Sequence, residues 1–130
     1  MRSTHHLRAL RANRELGRVA GNQVGLMVRM DYFADVRPTG QTPLALVVAS
    51  HYPAHAPRVS VGQNIAWGTG PYATPAEIVA AWMASPPHRA IVLDGEYRDA
   101  GVAATPATPS VIGAGRRGAT YAILFGVRKR

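Results

Sequence analysis

The chain has 130 residues, 47% of them hydrophobic and 17% charged, which is enough for one folded domain and too apolar for a disordered chain. It contains no cysteine, which excludes disulfides, thiolate chemistry and zinc sites built on sulfur. The net charge of +8 comes almost wholly from arginines scattered along the chain, and no aromatic side chains alternate with them, so nucleic-acid binding is not predicted.

Residues 1–13 carry arginines and histidines but lack the apolar core of a signal peptide. No apolar run in the chain approaches the ~20 residues that a membrane helix needs, so no transmembrane segment is predicted.

Residues 13–30 are predicted to form the first helix. Leu16, Ala20 and Met27 recur at helical spacing and give the helix one apolar face. A second stripe at four-residue spacing suits close helix packing and consists of Gly17, Gly21 and Gly25.

Two shorter elements follow a loop at residues 31–40. Thr42 and Pro43 are typical of a helix start, which predicts a short helix over residues 43–50. A loop at residues 51–57 then leads into a strand at residues 59–67. The amides of Gln63 and Asn64 are expected to satisfy backbone groups in a turn, with Trp67 packed beneath them.

Residues 74–85 show the clearest helix signals. Thr74 is the expected cap, Pro75 stands at the first helical position, and Glu77 completes a capping box. The pair Pro86–Pro87 is expected to stop this helix.

Two strands are predicted after it, at residues 101–105 and 120–127, with a loop over residues 106–118 between them. The predicted fold class is α+β, a small antiparallel sheet covered by helices.

Short motifs follow one another along the second half of the chain. Residues 62–68 read GQNIAWG, residues 81–83 read AWM, and residues 85–89 read SPPHR. Tyr97–Arg98 and Gly101–Val102 follow them, and residues 32–34 upstream read YFA. Together these pieces resemble the bacterial branch of the CAP superfamily, which comprises the cysteine-rich secretory proteins, antigen 5 proteins and plant pathogenesis-related proteins (the SCP domain). The resemblance covers nearly the whole chain and implies an α-β-α sandwich with an open cleft on one side.

In many members of that family the cleft holds two histidines and two glutamates that can bind a divalent metal. The matching positions here are Asp35, Gln63, Ser85 and His88, so only the histidine is retained. An amide and a hydroxyl are weak neutral ligands, so the metal site is expected to be lost and no cofactor is predicted. These four residues are therefore candidates for a ligand-binding cleft. Pro87 replaces the family's glycine and is expected to bend the loop that presents His88.

Other interpretations of the polar residues stay open. His88 could be a general base oriented by Asp35, or a histidine hydrogen-bonded at a helix start. A Ser85–His88 pair is conceivable, but no further residue completes a triad. His51 and His55 are best interpreted as solvated loop residues, because Pro53 between them breaks a helix.

The resemblance also bears on the start of the chain. Residues 2–10 resemble a segment that in the family follows a leading helix and a secretion signal. The expectation is a single domain over residues 1–130, truncated at its N-terminus, whose native form is extracellular or associated with the cell envelope. Its predicted function is non-catalytic binding of a lipid, a cell-wall polymer or another protein. The alternative is a hydrolase that uses His88 and Asp35 in the cleft.

Overall fold

The computed structural model describes residues 2–113 and 117–130. A four-stranded sheet lies between helices on its two faces. In chain order the elements are β1 (Arg11–Ala12), α1 (Arg14–Met30), α2 (Pro43–Val48), β2 (Arg58–Thr69), α3 (Pro75–Ala84), α4 (Pro86–Val92), β3 (Asp99–Thr105), α5 (Ser110–Gly113) and β4 (Gly118–Lys129). The α+β prediction is confirmed. The segment predicted as a loop at residues 106–118 contains the short helix α5, which four residues are too few to reveal by periodicity, and its residues 114–116 lie outside the described residues.

The sheet has the strand order β1-β3-β4-β2 and is mixed rather than purely antiparallel. β2 pairs with β4 and β3 with β4 in antiparallel register, as expected. The two-residue strand β1 pairs with β3 in parallel, at Arg11 with Asp99 and Ala12 with Ala100. β1 was not predicted, because a strand of two residues is too short to show a periodicity in the sequence.

One face of the sheet is covered by α1, which packs across β3 and β4. Asn13 caps this helix by accepting a hydrogen bond from the Leu16 backbone N at 3.0 Å. The apolar face predicted for the helix forms the core with residues from the strands, namely Leu16, Val19, Ala20, Val24, Met27, Ile65, Ala122 and Leu124. Successive residues of a strand point to opposite faces, so Gln63 and Ile65 of β2 share the face of α1, whereas Asn64 points to the other.

The opposite face carries α3 and α4, and here the sequence prediction needs a correction. Thr74 caps α3 as predicted, and α3 ends at Ala84, before Pro86 and Pro87, as also predicted; what the sequence did not predict is a second helix at Pro86 and Pro87. They begin α4, where proline is tolerated because the first helical N–H groups have no partner within the helix. Ser85, in an extended conformation, separates the two helices. Pro87 therefore bends no loop, and His88 lies in the first turn of α4.

Two further expectations about β2 were wrong. Gln63 and Asn64 lie inside the strand, opposite Leu124 and Ile123 of β4, and not in a turn. Trp67 is not packed beneath them, because 40% of its surface is exposed. The motif GQNIAWG thus forms the edge strand of the sheet, which places its side chains beside the helices on both faces.

None of the helices in the described part of the chain has the length and apolar character that crossing a bilayer requires.

Candidate functional site

An open cleft of about 430 Å³ runs along the edge strand β2. The loop after α1 forms one wall, β2 forms the floor, and α3 with α4 form the other wall. The lining residues are Phe33, Ala34, Asp35, Ile65, Ala66, Trp67, Ala81, Trp82, Ser85 and His88. Three of the four candidates from the sequence, Asp35, Ser85 and His88, therefore share one cleft, and the fourth, Gln63, contacts Asp35.

A chain of side-chain hydrogen bonds holds Asp35 in place. The Gln63 amide donates from Nε2 to Asp35 Oδ1 at 3.1 Å, and its Oε1 accepts from Gln23 Nε2 at 3.1 Å. Gln23 in turn accepts a hydrogen bond from Arg37 Nε at 2.9 Å. Gln23 and Gln63 are buried, so a polar group of either amide left without a hydrogen bond would lower the stability of the fold.

Ser85 and His88 form a second pair across the junction of α3 and α4. Ser85 Oγ and His88 Nδ1 lie 2.7 Å apart, which is hydrogen-bond distance. In the neutral tautomer that accepts from the serine hydroxyl, the proton of the imidazole is on Nε2. The pair results directly from the helix start, because residues three apart in a first turn lie on the same side.

Two bonds to the backbone fasten these helices to the strand. Asn64 donates from Nδ2 to the His88 carbonyl oxygen at 3.1 Å, and Trp82 donates from Nε1 to the Ile65 carbonyl oxygen at 3.0 Å. Asn64 is fully buried, and its Oδ1 has no hydrogen-bond partner among the described residues. Asn64 and Trp82 thus set the position of the wall that carries Ser85 and His88.

The hydrogen bonds among the described residues divide the candidates into two separate pairs, Gln63 with Asp35 and Ser85 with His88. Asp35 accepts its hydrogen bond from Gln63, and among the described hydrogen bonds none joins Asp35 to His88. The nitrogen of His88 that forms a bond faces Ser85 and not a carboxylate. The arrangement offers a hydroxyl, an imidazole and a carboxylate as separate hydrogen-bonding groups along one cleft.

The residues present do not fit the divalent metal of the family tetrad. Both polar atoms of the Gln63 amide are engaged, Oε1 by Gln23 and Nε2 by Asp35, so a cation at Oε1 would have to compete with the Gln23 amide. The described residues contain no group of three or more histidines, aspartates or glutamates close enough to hold a metal ion. One imidazole and one carboxylate are fewer protein ligands than known zinc sites use.

The aromatic side chains of the cleft were not predicted from the sequence. Trp67 was expected to be packed, and Trp82, although it is buried, also lines the cleft. Both tryptophans of the chain therefore lie in this one site. Because side chains two residues apart in a strand share a face, the sequence could have placed Trp67 on the same side of β2 as Ile65. It could not have shown that Trp67 is exposed.

The comparisons with known proteins agree with this architecture. The family model of the cysteine-rich secretory protein family, CAP, matches residues 1–111. Among solved structures, an outer surface protein from Borrelia burgdorferi is similar with a TM-score of 0.77 and 19% identity, over 98% of this chain and 84% of that one.

Two longer proteins are also similar in structure. An extracellular protein containing an SCP domain from Bacillus anthracis gives a TM-score of 0.72 at 20% identity, over 99% of this chain and 36% of that one. A cysteine-rich secretory protein from Staphylococcus aureus gives 0.59 at 20% identity, over 95% of this chain and 33% of that one. The chain thus spans about a third of the length of these two proteins. No curated protein sequence matches the chain.

Proposed function

Because the chain belongs to the cysteine-rich secretory protein family, CAP, we propose that it is a non-catalytic binding module that works on the cell surface or in the envelope. We propose further that its cleft holds a segment of cell-wall glycan. Similar structures come from proteins described as outer surface and extracellular, which supports the location.

The observation that carries the glycan proposal is the composition of the cleft. Phe33, Trp67 and Trp82 supply an aromatic lining, and Trp67 is 40% exposed, although tryptophan is usually well buried. Asp35, Ser85 and His88 stand beside this lining as hydrogen-bonding groups. A sugar ring has an apolar face and a rim of hydroxyls, so it matches both features, whereas an alkyl chain would leave the remaining hydrogen-bonding capacity of the three polar groups unused.

The contacts of the polar groups support binding over catalysis. Asp35 would have to give up its bond from Gln63 before it could orient His88. Pro86 and Pro87, which follow Ser85, have no backbone N–H, so the start of α4 lacks two of the donors that would otherwise stabilise an oxyanion beside Ser85.

The test uses muropeptides released from bacterial walls by a muramidase. Because both tryptophans line the cleft, a bound glycan should change the intrinsic fluorescence in a saturable way. Calorimetric titration should show that Trp67→Ala raises the Kd about tenfold, through loss of the aromatic contact. Tyr72→Ala is the matched control, because Tyr72 is 70% exposed and does not line the cleft. No saturable signal, or an equal loss in both variants, would contradict the proposal.

The location is tested on the native cells. Protein recovered from the culture medium or the envelope fraction, identified by intact mass and N-terminal sequence, is the expected result. Protein found in the cytoplasm alone would contradict the proposed location and leave the cleft assay unaffected.

A hydrolase is the second candidate, favoured by the 2.7 Å contact between Ser85 Oγ and His88 Nδ1. In this alternative His88 is the general base, Asp35 turns from Gln63 to orient it, and a water or Ser85 attacks an ester or amide in the cleft. His88→Ala separates the two functions. If the chain is a hydrolase, this variant should no longer hydrolyse the bound fragments. If it is a binding module, the variant should lose at most the affinity that one hydrogen bond contributes.

A further inference from the structure

A second and larger cavity, of about 640 Å³, lies at another part of the sheet. It is bounded by β1, the start of β3, the end of β4 and the loop at residues 53–57. Its lining residues are Arg11, Pro53, Ala54, His55, Ala56, Pro57, Arg98, Asp99, Val127, Arg128 and Arg130. It shares no residue with the cleft described above.

The cavity concentrates positive charge. Four arginines line it and Asp99 is the only acidic lining residue among those described, so the side chains carry three positive charges in excess. These arginines come from three separate parts of the chain, namely residue 11, residue 98 and residues 128–130. The parallel pairing of β1 with β3, and the antiparallel pairing of β3 with β4, bring them to one place.

Asp99 positions two of the arginines, and their positive charges offset the negative charge that would otherwise repel an anion. Asp99 is only 3% exposed, and both of its oxygens are engaged. Oδ1 lies 3.3 Å from Arg11 Nη2, while Oδ2 accepts from the Tyr52 hydroxyl at 2.6 Å and lies 3.8 Å from Arg128 Nη2. A buried carboxylate so enclosed acts as an anchor for the two guanidinium groups.

Other contacts orient Arg128 and Arg98. The Arg128 guanidinium lies 4.8 Å above the Tyr52 ring centre, and its Nη1 donates to the Tyr52 carbonyl oxygen at 3.3 Å. Arg98 donates from Nη1 to the carbonyl oxygens of Gly95 at 2.7 Å and Tyr97 at 3.1 Å. Each guanidinium has five N–H donors, so Arg11 and Arg98, each bonded through one terminal nitrogen, retain donors for a ligand.

We propose that this cavity binds a phosphate group of a larger molecule. Planar guanidinium groups form paired hydrogen bonds with phosphate oxygens, and several arginines held around one space suit a polyvalent oxyanion better than one carboxylate. The volume leaves room for the molecule that carries the phosphate. No phenylalanine, tyrosine or tryptophan of the described chain lines the cavity, so a nucleic-acid base would find no stacking platform, and the ligand class is a phosphate ester without a base.

The phosphate could come from a lipid headgroup or from a soluble phosphate ester, and two probes distinguish these sources. One is sn-glycerol 3-phosphate, titrated by calorimetry. The other is a vesicle of phosphatidylglycerol in phosphatidylcholine, measured by co-sedimentation against phosphatidylcholine alone. Binding of both, with competition between them, indicates a lipid source; binding of glycerol phosphate alone indicates a soluble ester.

Two sets of variants test the site itself. Arg128→Gln removes the arginine that forms the most contacts with its surroundings. The double variant Arg11→Gln with Arg130→Gln changes two exposed side chains and keeps Arg128, so it tests the site even if Arg128→Gln folds poorly. We expect each to raise the Kd for the phosphate probe about tenfold or more. Arg29→Gln is the charge-matched control for Arg128→Gln, because each removes one positive charge and Arg29 is exposed near the far end of α1 and outside the cavity.

If Arg29→Gln loses as much binding as the cavity variants do, the net charge of the protein and not the cavity attracts the phosphate, and the proposal is overturned. Failure of both probes to bind the unaltered protein would also overturn it. Trp67→Ala should leave phosphate binding unchanged, so the two proposed sites can fail independently.

Discussion

The contact between α1 and β3 permits a sharp prediction, because it depends on one missing methyl group. A Cβ added to Gly101 would overlap the backbone N of Gly17 and the carbonyl C of Leu16, and would lie 2.6 Å from Gly17 Cα. These are backbone atoms of a helix and cannot rotate away. We therefore expect Gly101→Ala to force α1 away from the sheet.

The cost follows from what α1 buries. An ordinary carbon contact needs about 3.5 Å or more, so the helix must retreat by about 1.5 Å, which forfeits about half or more of each contact's dispersion energy. Leu16 and Ala20, both fully buried, lose contacts first. Overpacking a core typically costs about 1–3 kcal/mol, and because rigid backbone is displaced here we expect about 3 kcal/mol.

Gly17→Ala supplies the matched control, since it places the same methyl group on the other partner. A Cβ there meets nothing within 4 Å, and alanine is the better helix former. Gly17→Ala should therefore raise the free energy of unfolding by about 0.5–1 kcal/mol. Urea unfolding followed by circular dichroism measures both variants. The reasoning is refuted if Gly101→Ala stays within about 0.5 kcal/mol of the unaltered protein, or if Gly17→Ala destabilises it equally.

Three other substitutions test separate features of the structure. Thr74→Ala removes the side chain that accepts from the Glu77 backbone N at 3.3 Å, and should cost about 1 kcal/mol in urea unfolding, with Thr74→Ser retaining most of the stability. Arg2→Gln removes the guanidinium bonds to the carbonyl oxygens of Val92 at 2.7 Å and Asp94 at 3.0 Å, and should cost about 2–3 kcal/mol, seen as a lower Tm. Burial and the hydrogen bond to Asp99 raise the pKa of the Tyr52 hydroxyl above its ordinary value of 10.0, so the folded state holds this proton more tightly than the unfolded chain does. The stability that this proton contributes is present below pH 10 and is lost as the pH rises beyond it. Tyr52→Phe should cost about 1–2 kcal/mol at pH 7, and its free energy of unfolding should fall less steeply above pH 10. A fall as steep as that of the unaltered protein would count against this account.

The local elements could be predicted from the sequence because their signals lie within a few residues. Asn13, Thr42 and Thr74 each accept a bond from a backbone N three residues further on, as their positions before apolar runs indicate. The ordered motifs from residue 62 to residue 102 predicted the fold. The sequence did not predict α4 because proline stops one helix and starts another by the same chemistry, the missing N–H, and it did not predict α5 because a segment rich in proline and glycine indicates a loop.

The sites depended on the tertiary structure, since their partners are distant in sequence. Gln63 bonds to Gln23 across 40 positions and to Asp35 across 28, and no periodicity relates such residues. Sequence matching therefore named Asp35, Ser85 and His88, which line the cleft, and Gln63 beside it, but not which of them bond to each other. The arginines around Asp99 are the clearer case: they are scattered along the chain, and only the pairing of β1 with β3 and of β3 with β4 gathers them around one cavity.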